Sequence, residues 1–151
     1  MLYNSKGTLC GLMGIHVDDL LVSGAGPEFE QAMKKLEGRL PFGSRKYEAF
    51  TYCGIPVTQM KNGAITLDQN QYIEDLQPMT HKHLANDKKI PESESTNYKA
   101  LCGGLSWAAI NTRPDCGFDV SWLASKGPTA TGQDVAFGNK IMRRTKTTEV
   151  L

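Results

Sequence analysis

The sequence lacks any apolar run of about 18 residues, so it contains no candidate for a membrane-spanning helix. Its first residues, MLYNSKGTLCGLMG, lack the basic start and the long apolar middle of a signal peptide. It also lacks an excess of charge, because 17 Lys and Arg nearly balance 16 Asp and Glu. Any contact with a polyanion must therefore be local. We expect an intracellular protein, cytoplasmic or nuclear, that is neither exported nor membrane-bound.

Closely spaced cysteines are also lacking, since the nearest two of the four, Cys102 and Cys116, are 14 positions apart. This spacing excludes a zinc-binding cysteine pair and a Cys-x-x-Cys redox motif. We predict reduced cysteines that mostly serve packing. His81 and His83 have no cysteine or carboxylate at ligand spacing, so we interpret them as exposed linker residues rather than metal ligands.

The first organised segment consists of two apolar runs, residues 9–15 and 20–23, separated by His-Val-Asp-Asp. This pattern predicts a β-hairpin with its turn at His16 to Asp19. Glycines and Pro27 then break the pattern, and apolar residues recur at helical spacing. A helix is therefore predicted near Pro27 to Gly38, with proline in its first turn.

The apolar period changes again after residue 47. The stretches FTYCGIPVTQM and AITLD flank Asn62-Gly63, a dipeptide that favours a two-residue hairpin turn. A second hairpin is therefore predicted to turn there, followed by a short helix that Pro78 stops. We expect this α+β part to end near residue 78.

The remainder of the chain has a different character. Residues 79–97 are polar and follow neither period, which indicates a linker. Residues 98–151 are expected to be helical: one helix presents Leu101, Leu105 and Ala108 on a single face, a second starts at Pro114, and a third covers about 133–144. A strand-like run begins almost at residue 1 and no stop pattern closes the other end, so both ends look cut from a longer chain.

Asp18 and Asp19 are unusual because two adjacent carboxylates lie inside an otherwise apolar stretch. Two like charges about 4 Å apart near a protein surface repel by roughly 4 kcal/mol, and a bound cation relieves that repulsion. Mg²⁺ prefers carboxylates, and two-metal sites for phosphoryl transfer use such ligands. Since neighbours in a strand face opposite ways, only a turn can direct both toward one site, and Asp18 is the safer ligand. The alternative is an Asp-rich solvated turn without function.

The stretch HVDDLLVSG resembles the YVDD hairpin of reverse transcriptases, in the form found in copia-type retrotransposon polyproteins. FTYCGIPVTQMKNGAITLDQNQYIEDL is similar to a later block of that family, with a Leu-Gly-Ile core, a hairpin and a Gln-x-x-Tyr-Ile helix. YKALCGGLSWAAINTRPDCGFDVSWLAS is similar to its Thr-Arg-Pro-Asp block. The three blocks keep the family's order and cover most of the chain, roughly residues 9 to 147.

The resemblance implies an α+β fold: the carboxy-terminal part of a right-hand polymerase palm, with two hairpins and a helix in residues 1–78. An all-helical thumb and connection segment would follow and lead toward a ribonuclease H domain. The implied cofactor is Mg²⁺ in a two-metal site. The implied partners are an RNA template, a DNA primer and a deoxynucleotide, together with the remaining parts of the polyprotein.

By matching position, Asp18 and Asp19 would be the catalytic Mg²⁺ ligands. His16 stands where the family usually has a tyrosine near the primer end; the alternative is an ordinary strand residue. Tyr52, Cys53 and Gly54 match a Phe-Leu-Gly turn that grips the primer, with Cys53 as an apolar substitute rather than a catalytic thiol. A basic set on the last helix could contact phosphate or form a solvated face: Lys140, Arg143, Arg144 and Lys146.

The departures from the family limit what this chain can do alone. A palm polymerase needs a third carboxylate from an earlier strand, and residues 1–15 contain no Asp or Glu. The fingers and the ribonuclease H carboxylates are absent as well. We therefore expect part of an RNA-directed DNA polymerase that makes no DNA by itself and exposes the apolar face of residues 9–23. The alternatives are a non-catalytic retroelement remnant with weak nucleic-acid or protein binding, and a relic with no activity.

Overall fold

The structure, a computed structural model, describes residues 1–80 and 84–147. The chain forms two compact units, Met1–Thr66 and Leu67–Leu151. The described residues contain two three-stranded sheets and five α-helices. This composition confirms the predicted α+β class. Within the same residues, no helix is both long and apolar enough to cross a membrane.

The first sheet contains the predicted hairpin. Its strands β1 (Leu2–Tyr3), β2 (Leu9–His16) and β3 (Asp19–Gly24) lie in the order β1-β2-β3, with both pairs antiparallel. His16 pairs with Asp19, so Val17 and Asp18 form a two-residue turn. The hairpin prediction is confirmed, and β1 lies where a strand-like run was expected almost at residue 1.

Helix α1 (Pro27–Glu37) follows as predicted and packs on one face of this hairpin. Its Phe29 ring lies against Gly11 and Gly24, which face each other across β2 and β3. A Cβ atom on Gly24 would lie 2.3 Å from the ring, and one on Gly11 would lie 2.6 Å from it. The two glycines therefore provide the space that lets α1 approach the sheet.

The second sheet corrects the predicted second hairpin. Its strands are β4 (Ala49–Tyr52), β5 (Ile55–Gln59) and β6 (Ile65–Leu67), in the order β4-β5-β6. A tight turn at Cys53-Gly54 divides what the apolar pattern suggested was one strand, and it lies where the family resemblance expected a turn. The turn containing Asn62-Gly63 exists, but it is longer than predicted.

The longer loop has a local cause. Met60 donates its backbone N–H to the Ala64 carbonyl at 2.7 Å, and the Asn62 side chain accepts from the Ala64 N–H at 3.0 Å. Of the Asn62-Gly63 pair, only Gly63 has a positive φ, of 86°, whereas the predicted two-residue turn needs two. The Asn62 side chain thus hydrogen-bonds the backbone two residues later in the chain, and Asn62 does not adopt the left-handed conformation.

The described residues of the second unit form four α-helices. They are α2 (Asn70–Asp75), α3 (Ser95–Asn111), α4 (Gly117–Ser125) and α5 (Gly132–Thr147). The predicted face of α3 is buried, since Leu101, Leu105 and Ala108 are at most 5% exposed. The Tyr98 hydroxyl donates to the Leu123 carbonyl at 2.8 Å, which satisfies the one polar atom of that buried side chain.

The boundaries of the units differ from the predicted domains 1–78, 79–97 and 98–151. The division falls between Thr66 and Leu67, and α3 begins at Ser95, inside the predicted linker. Met79 is buried, and its backbone N–H and carbonyl both bond the Asn139 side chain. Ile90 is buried as well. Single apolar residues among polar ones carry no period, which is why the sequence suggested a linker.

The predicted linker histidines, His81 and His83, lie outside the described residues.

Candidate functional site

The tip of the first hairpin holds its carboxylates on a strained turn. Val17, the first turn residue, has a φ of 54° and is 87% exposed. A positive φ is a genuine outlier for a β-branched residue and costs of order 1–2 kcal/mol. Since the side chain buries almost nothing in return, packing within the chain does not explain this strain. Strained backbone of this kind clusters at functional sites.

Asp18 and Asp19 follow on that turn, and both are exposed. Across residues 1–80 and 84–147, neither side chain takes part in a hydrogen bond or an ion pair. Two adjacent carboxylates without a protein cation are chemically suited to a hard divalent ion, which takes one or two carboxylates and completes its shell with water or phosphate oxygens. The donor set therefore fits Mg²⁺.

The donor set is small, however. The described chain contains no group of three or more His, Cys, Asp or Glu side chains that could hold a metal.

Tyr52 lies on the other face of the hairpin from α1. Its ring centroid is 6.4 Å from that of His16, with the ring planes at 70° in an edge-on contact. Its hydroxyl lies 3.8 Å from where a Cβ atom on Gly14 would be. Gly14, His16 and Asp19 share this face, because alternate residues of a strand point the same way and His16 pairs with Asp19. The last residue of β4 is thus placed beside the hairpin tip.

The electrostatic environment of Tyr52 reflects this position. Partial burial raises the pKa of its hydroxyl, and the neighbouring Cys53 thiol and the negative charge of Asp19 raise this pKa further. Tyr52 is therefore a neutral hydrogen-bonding group near the carboxylates. It offers a polar hydroxyl and a ring edge at the same place.

Cys53 and Gly54 form the turn after Tyr52. Their φ values are 50° and 79°, the pair of positive values that a type I′ turn requires. Cys53 is half-buried, and its thiol is free, as are the other three. A Cβ atom on Gly54 would meet nothing within 4 Å, so the backbone here is open to approach from outside.

The structure thus brings His16, Asp19 and Tyr52 together, with Asp18 on the adjoining turn and Cys53-Gly54 directly after Tyr52. Sequence reasoning missed two features of this site. The strain at Val17 has no signal in the pattern, whereas Gly14, which interrupts an apolar strand, could have indicated the close approach of another side chain.

The basic residues considered as phosphate contacts lie on α5, in the second unit. Arg144 is bonded to Asp119 at 2.6 Å, and Lys146 donates to the backbone carbonyls of Glu74 and Leu76. Lys140 and Arg143 are exposed. Half of the set is therefore already engaged within its own unit.

Comparison with known proteins gives one informative similarity. The chain is 28% identical over 126 residues to a protein of Saccharomyces cerevisiae (strain S288c) described as "Putative transposon Ty5-1 protein". The similarity covers 74% of this chain and 41% of that protein, so this chain spans less than half the length of the relative. No family model and no solved structure matches the chain. The similarity indicates a transposon-related sequence.

Proposed function

We propose that this chain is part of an RNA-directed DNA polymerase of a copia-type retrotransposon and that the first hairpin carries its metal ligands. The observation that carries the proposal is the pair of unpartnered carboxylates, Asp18 and Asp19, on a strained turn beside His16 and Tyr52. The resemblance of three ordered sequence blocks and the similarity to a transposon protein support the same assignment.

Asp18 would be the first Mg²⁺ ligand and Asp19 the second. When bound, Mg²⁺ would neutralise the charge that develops on phosphate oxygens during transfer of a nucleotide to the primer hydroxyl. His16 and Tyr52 would lie beside the primer end, where the Tyr52 hydroxyl can donate to a sugar or phosphate oxygen. The open backbone at Gly54 would approach the primer strand closely. RNA template, DNA primer and deoxynucleotide are the proposed partners.

A second candidate is a non-catalytic retroelement remnant that binds nucleic acid or protein weakly. It is favoured by the lack of a third metal-ligating side chain near the tip, among the residues that the structure describes. Under this proposal the strained turn would be inherited from an active ancestor. The two candidates differ in whether a longer form of the protein makes DNA.

Primer extension on an RNA template distinguishes them. We expect no synthesis by residues 1–151 alone and synthesis by a longer protein that adds the upstream fingers and palm. In that longer protein Asp18→Asn should abolish synthesis, because the amide keeps the shape but loses the charge that holds the metal. His16→Tyr is the matched control and should be tolerated. Synthesis by the isolated chain, or undiminished synthesis by Asp18→Asn, would contradict the polymerase proposal.

A further inference from the structure

Helix α3 carries a second surface that the hairpin site does not use. One face of this helix is buried in the core, and the opposite face presents exposed residues at spacings of four, three, four and three positions. At 3.6 residues per turn, these positions lie within about 40° of a single line along the helix. They therefore form one continuous surface. We define this α3 stripe by its five residues: Thr96, Ala100, Gly103, Trp107 and Ile110.

The α3 stripe is uncharged and contains two large apolar side chains. Trp107 is 39% exposed and Ile110 is 81% exposed. Lys99 is the one charged residue of α3, and it lies beside the stripe. Apolar side chains that are grouped and exposed in this way are typical of an interaction surface.

Gly103 leaves an open space in the middle of the stripe. A Cβ atom there would meet nothing within 4 Å, whereas one on the neighbouring Gly104 would lie 2.8 Å from the Leu76 side chain. Packing within the unit therefore explains Gly104 but not Gly103. Glycine inside a helix costs about 1 kcal/mol relative to alanine. The space above Gly103 is thus available to a side chain from outside the unit.

The stripe is complementary to itself when two copies of α3 run antiparallel. With a two-fold axis at the level of Leu105, Trp107 of each copy faces Gly103 of the other, and Ile110 faces Ala100, because both pairs are centred on position 105. Each large side chain then packs against a small one, as knobs pack into holes in a coiled coil. A two-fold pairing repeats this match on both sides of its axis.

Charge favours the same arrangement. In the antiparallel pair the two Lys99 side chains are separated by 12 positions, or about 18 Å along the helix, which exceeds the screening length of about 8 Å at physiological salt. A parallel pair would place them at the same level. Two copies also repel little as whole molecules, since the net charge of the chain is +1.

We propose that the chain forms a homodimer in which two copies of α3 pack antiparallel through the α3 stripe. The stripe is about 21 Å long, and a helix with its side chains is about 10 Å wide. Each copy therefore contributes less area than the roughly 800 Å² of a standard interface, so we expect a weak, reversible dimer. The inference does not rest on the polymerase proposal, because the whole stripe lies in the second unit.

The test is sedimentation velocity of the full chain from about 1 μM to 1 mM. We expect a monomer–dimer equilibrium that Trp107→Ala weakens at least tenfold, because it removes the central anchor. Phe118→Ala is the matched control and should leave the equilibrium unchanged, since Phe118 is an exposed aromatic residue of α4, outside the stripe. The double variant Leu12→Lys, Ile15→Lys should still dimerise, which separates this dimer from association through the first unit.

Gly103→Leu distinguishes the proposed packing from a merely apolar surface. Leucine favours helix and has room at this position, so the second unit should remain at least as stable, as denaturant unfolding followed by tryptophan fluorescence will show. The new side chain fills the space that the partner's Trp107 would occupy, so dimerisation should weaken at least tenfold. A surface that associates only through its apolar character would associate more strongly with the added leucine.

Disulfide cross-linking tests the register. Under oxidation, a mixture of Ala100→Cys and Ile110→Cys proteins should give a cross-linked heterodimer, because these positions face each other. Ala100→Cys alone should cross-link no more than the unsubstituted protein, since the two copies of position 100 lie about 15 Å apart along the helix, beyond the reach of a disulfide. A chain that stays monomeric, a dimer unaffected by Trp107→Ala or Gly103→Leu, or a dimer lost in Phe118→Ala would each overturn the proposal.

Discussion

The two units of this protein differ in character: the second contains the hydrophobic core, and the first carries the candidate metal ligands. The contiguous core lies entirely in the second unit, where Tyr98, Leu105, Leu123 and Ile141 are at most 1% exposed. The first unit carries the carboxylate hairpin but has no buried residue on α1. Apolar side chains of its β2 strand and turn are largely solvated, since Leu9, Leu12, Met13, Ile15 and Val17 are 37–87% exposed, whereas Ile55 and Val57 are buried. The expected exposure of apolar side chains in residues 9–23 is therefore found, on both faces of the hairpin, since Leu12 and Ile15 are three positions apart in one strand.

The first unit exposes apolar surface, whereas the second buries its apolar side chains in a contiguous core. Burial of apolar area is the main stabilising contribution in a small unit, so the first unit should be the weaker one. An exposed sheet with apolar faces also favours association. The proposed polymerase explains the asymmetry, because the longer protein would cover these faces.

The largest expected effect comes from truncating the core. Leu123→Ala should lower the free energy of unfolding of the second unit by about 2–5 kcal/mol, because it removes a fully buried side chain and leaves a cavity. The matched control is Leu12→Ala on the half-exposed β2 residue, which should cost less than about 1 kcal/mol. Both tryptophans lie in the second unit, so tryptophan fluorescence in denaturant follows unfolding of that unit, and hydrogen exchange of the β2 and β3 amides follows unfolding of the first. Equal decreases in the free energy of unfolding for Leu123→Ala and Leu12→Ala would contradict the difference between the two units.

The next effect concerns an ion pair in the second unit. The buried Arg113 guanidinium bonds Asp115 at 2.8 Å and also donates to the Thr145 carbonyl. This pairing lowers the pKa of Asp115 to about 2. Because the folded pKa lies below the unfolded value of about 3.9, the carboxylate stabilises the fold above pH 4, and this stabilisation is lost as pH falls toward 2.

Asp115→Asn should therefore destabilise the second unit at neutral pH. It should also reduce the decrease in the free energy of unfolding that occurs between pH 4 and 2. Because water screens the partly exposed carboxylate, we expect Asp115→Asn to lower the free energy of unfolding by about 1 kcal/mol at neutral pH. The exposed Asp87→Asn is the control and should change neither quantity. Thermal unfolding followed across this pH range measures both. An unchanged pH profile in Asp115→Asn would remove the ion pair from the account.

A smaller effect is expected at the strained turn. Val17→Gly should leave the free energy of unfolding unchanged or raise it by up to about 1 kcal/mol, because relief of the positive-φ strain outweighs the added freedom of glycine. Val22→Gly in the adjacent strand should instead destabilise, since Val22 is half-buried with ordinary backbone. Hydrogen exchange of the β2 and β3 amides measures both changes. Marked destabilisation by Val17→Gly would mean that Val17 packs in solution.

The smallest effect on stability is expected at the exposed apolar residues of β2. Replacing Leu12 and Ile15 with lysine should change the free energy of unfolding by less than about 0.5 kcal/mol, since both are half or more exposed. The same change should reduce binding of an apolar dye and the tendency to aggregate. If the unsubstituted protein does not bind the dye and stays monomeric, these apolar residues are covered in solution and the difference between the two units does not hold.

How far the sequence could predict this structure depended on the range of the contacts. The helices of the second unit were predictable because Leu101, Leu105 and Ala108 repeat at helical spacing between proline and glycine stops. Periodicity did not indicate the turn at Cys53-Gly54, since cysteine rarely adopts a positive φ and gives no turn signal, whereas the family resemblance matched Tyr52, Cys53 and Gly54 to a turn.

The candidate site divides in the same way. The hairpin pattern placed Asp18 and Asp19 at a tip, and local periodicity was sufficient for that. The approach of Tyr52 to His16 joins positions 36 apart in the chain, so it depends on tertiary packing that no local pattern encodes. The family resemblance, rather than periodicity, suggested that these residues act together.

The central claim, that Asp18 and Asp19 form a divalent-cation site, is tested most directly by Mn²⁺ titration of the full chain followed by NMR. Mn²⁺ replaces Mg²⁺ and broadens nearby amides. We expect broadening centred on Val17, Asp18 and Asp19 and reaching Tyr52, with loss of this effect in the Asp18→Asn, Asp19→Asn double variant. Glu74-Asp75, an adjacent acidic pair on α2, provides the control. Equal broadening at that pair, or broadening of the tip that survives the double variant, would contradict the claim.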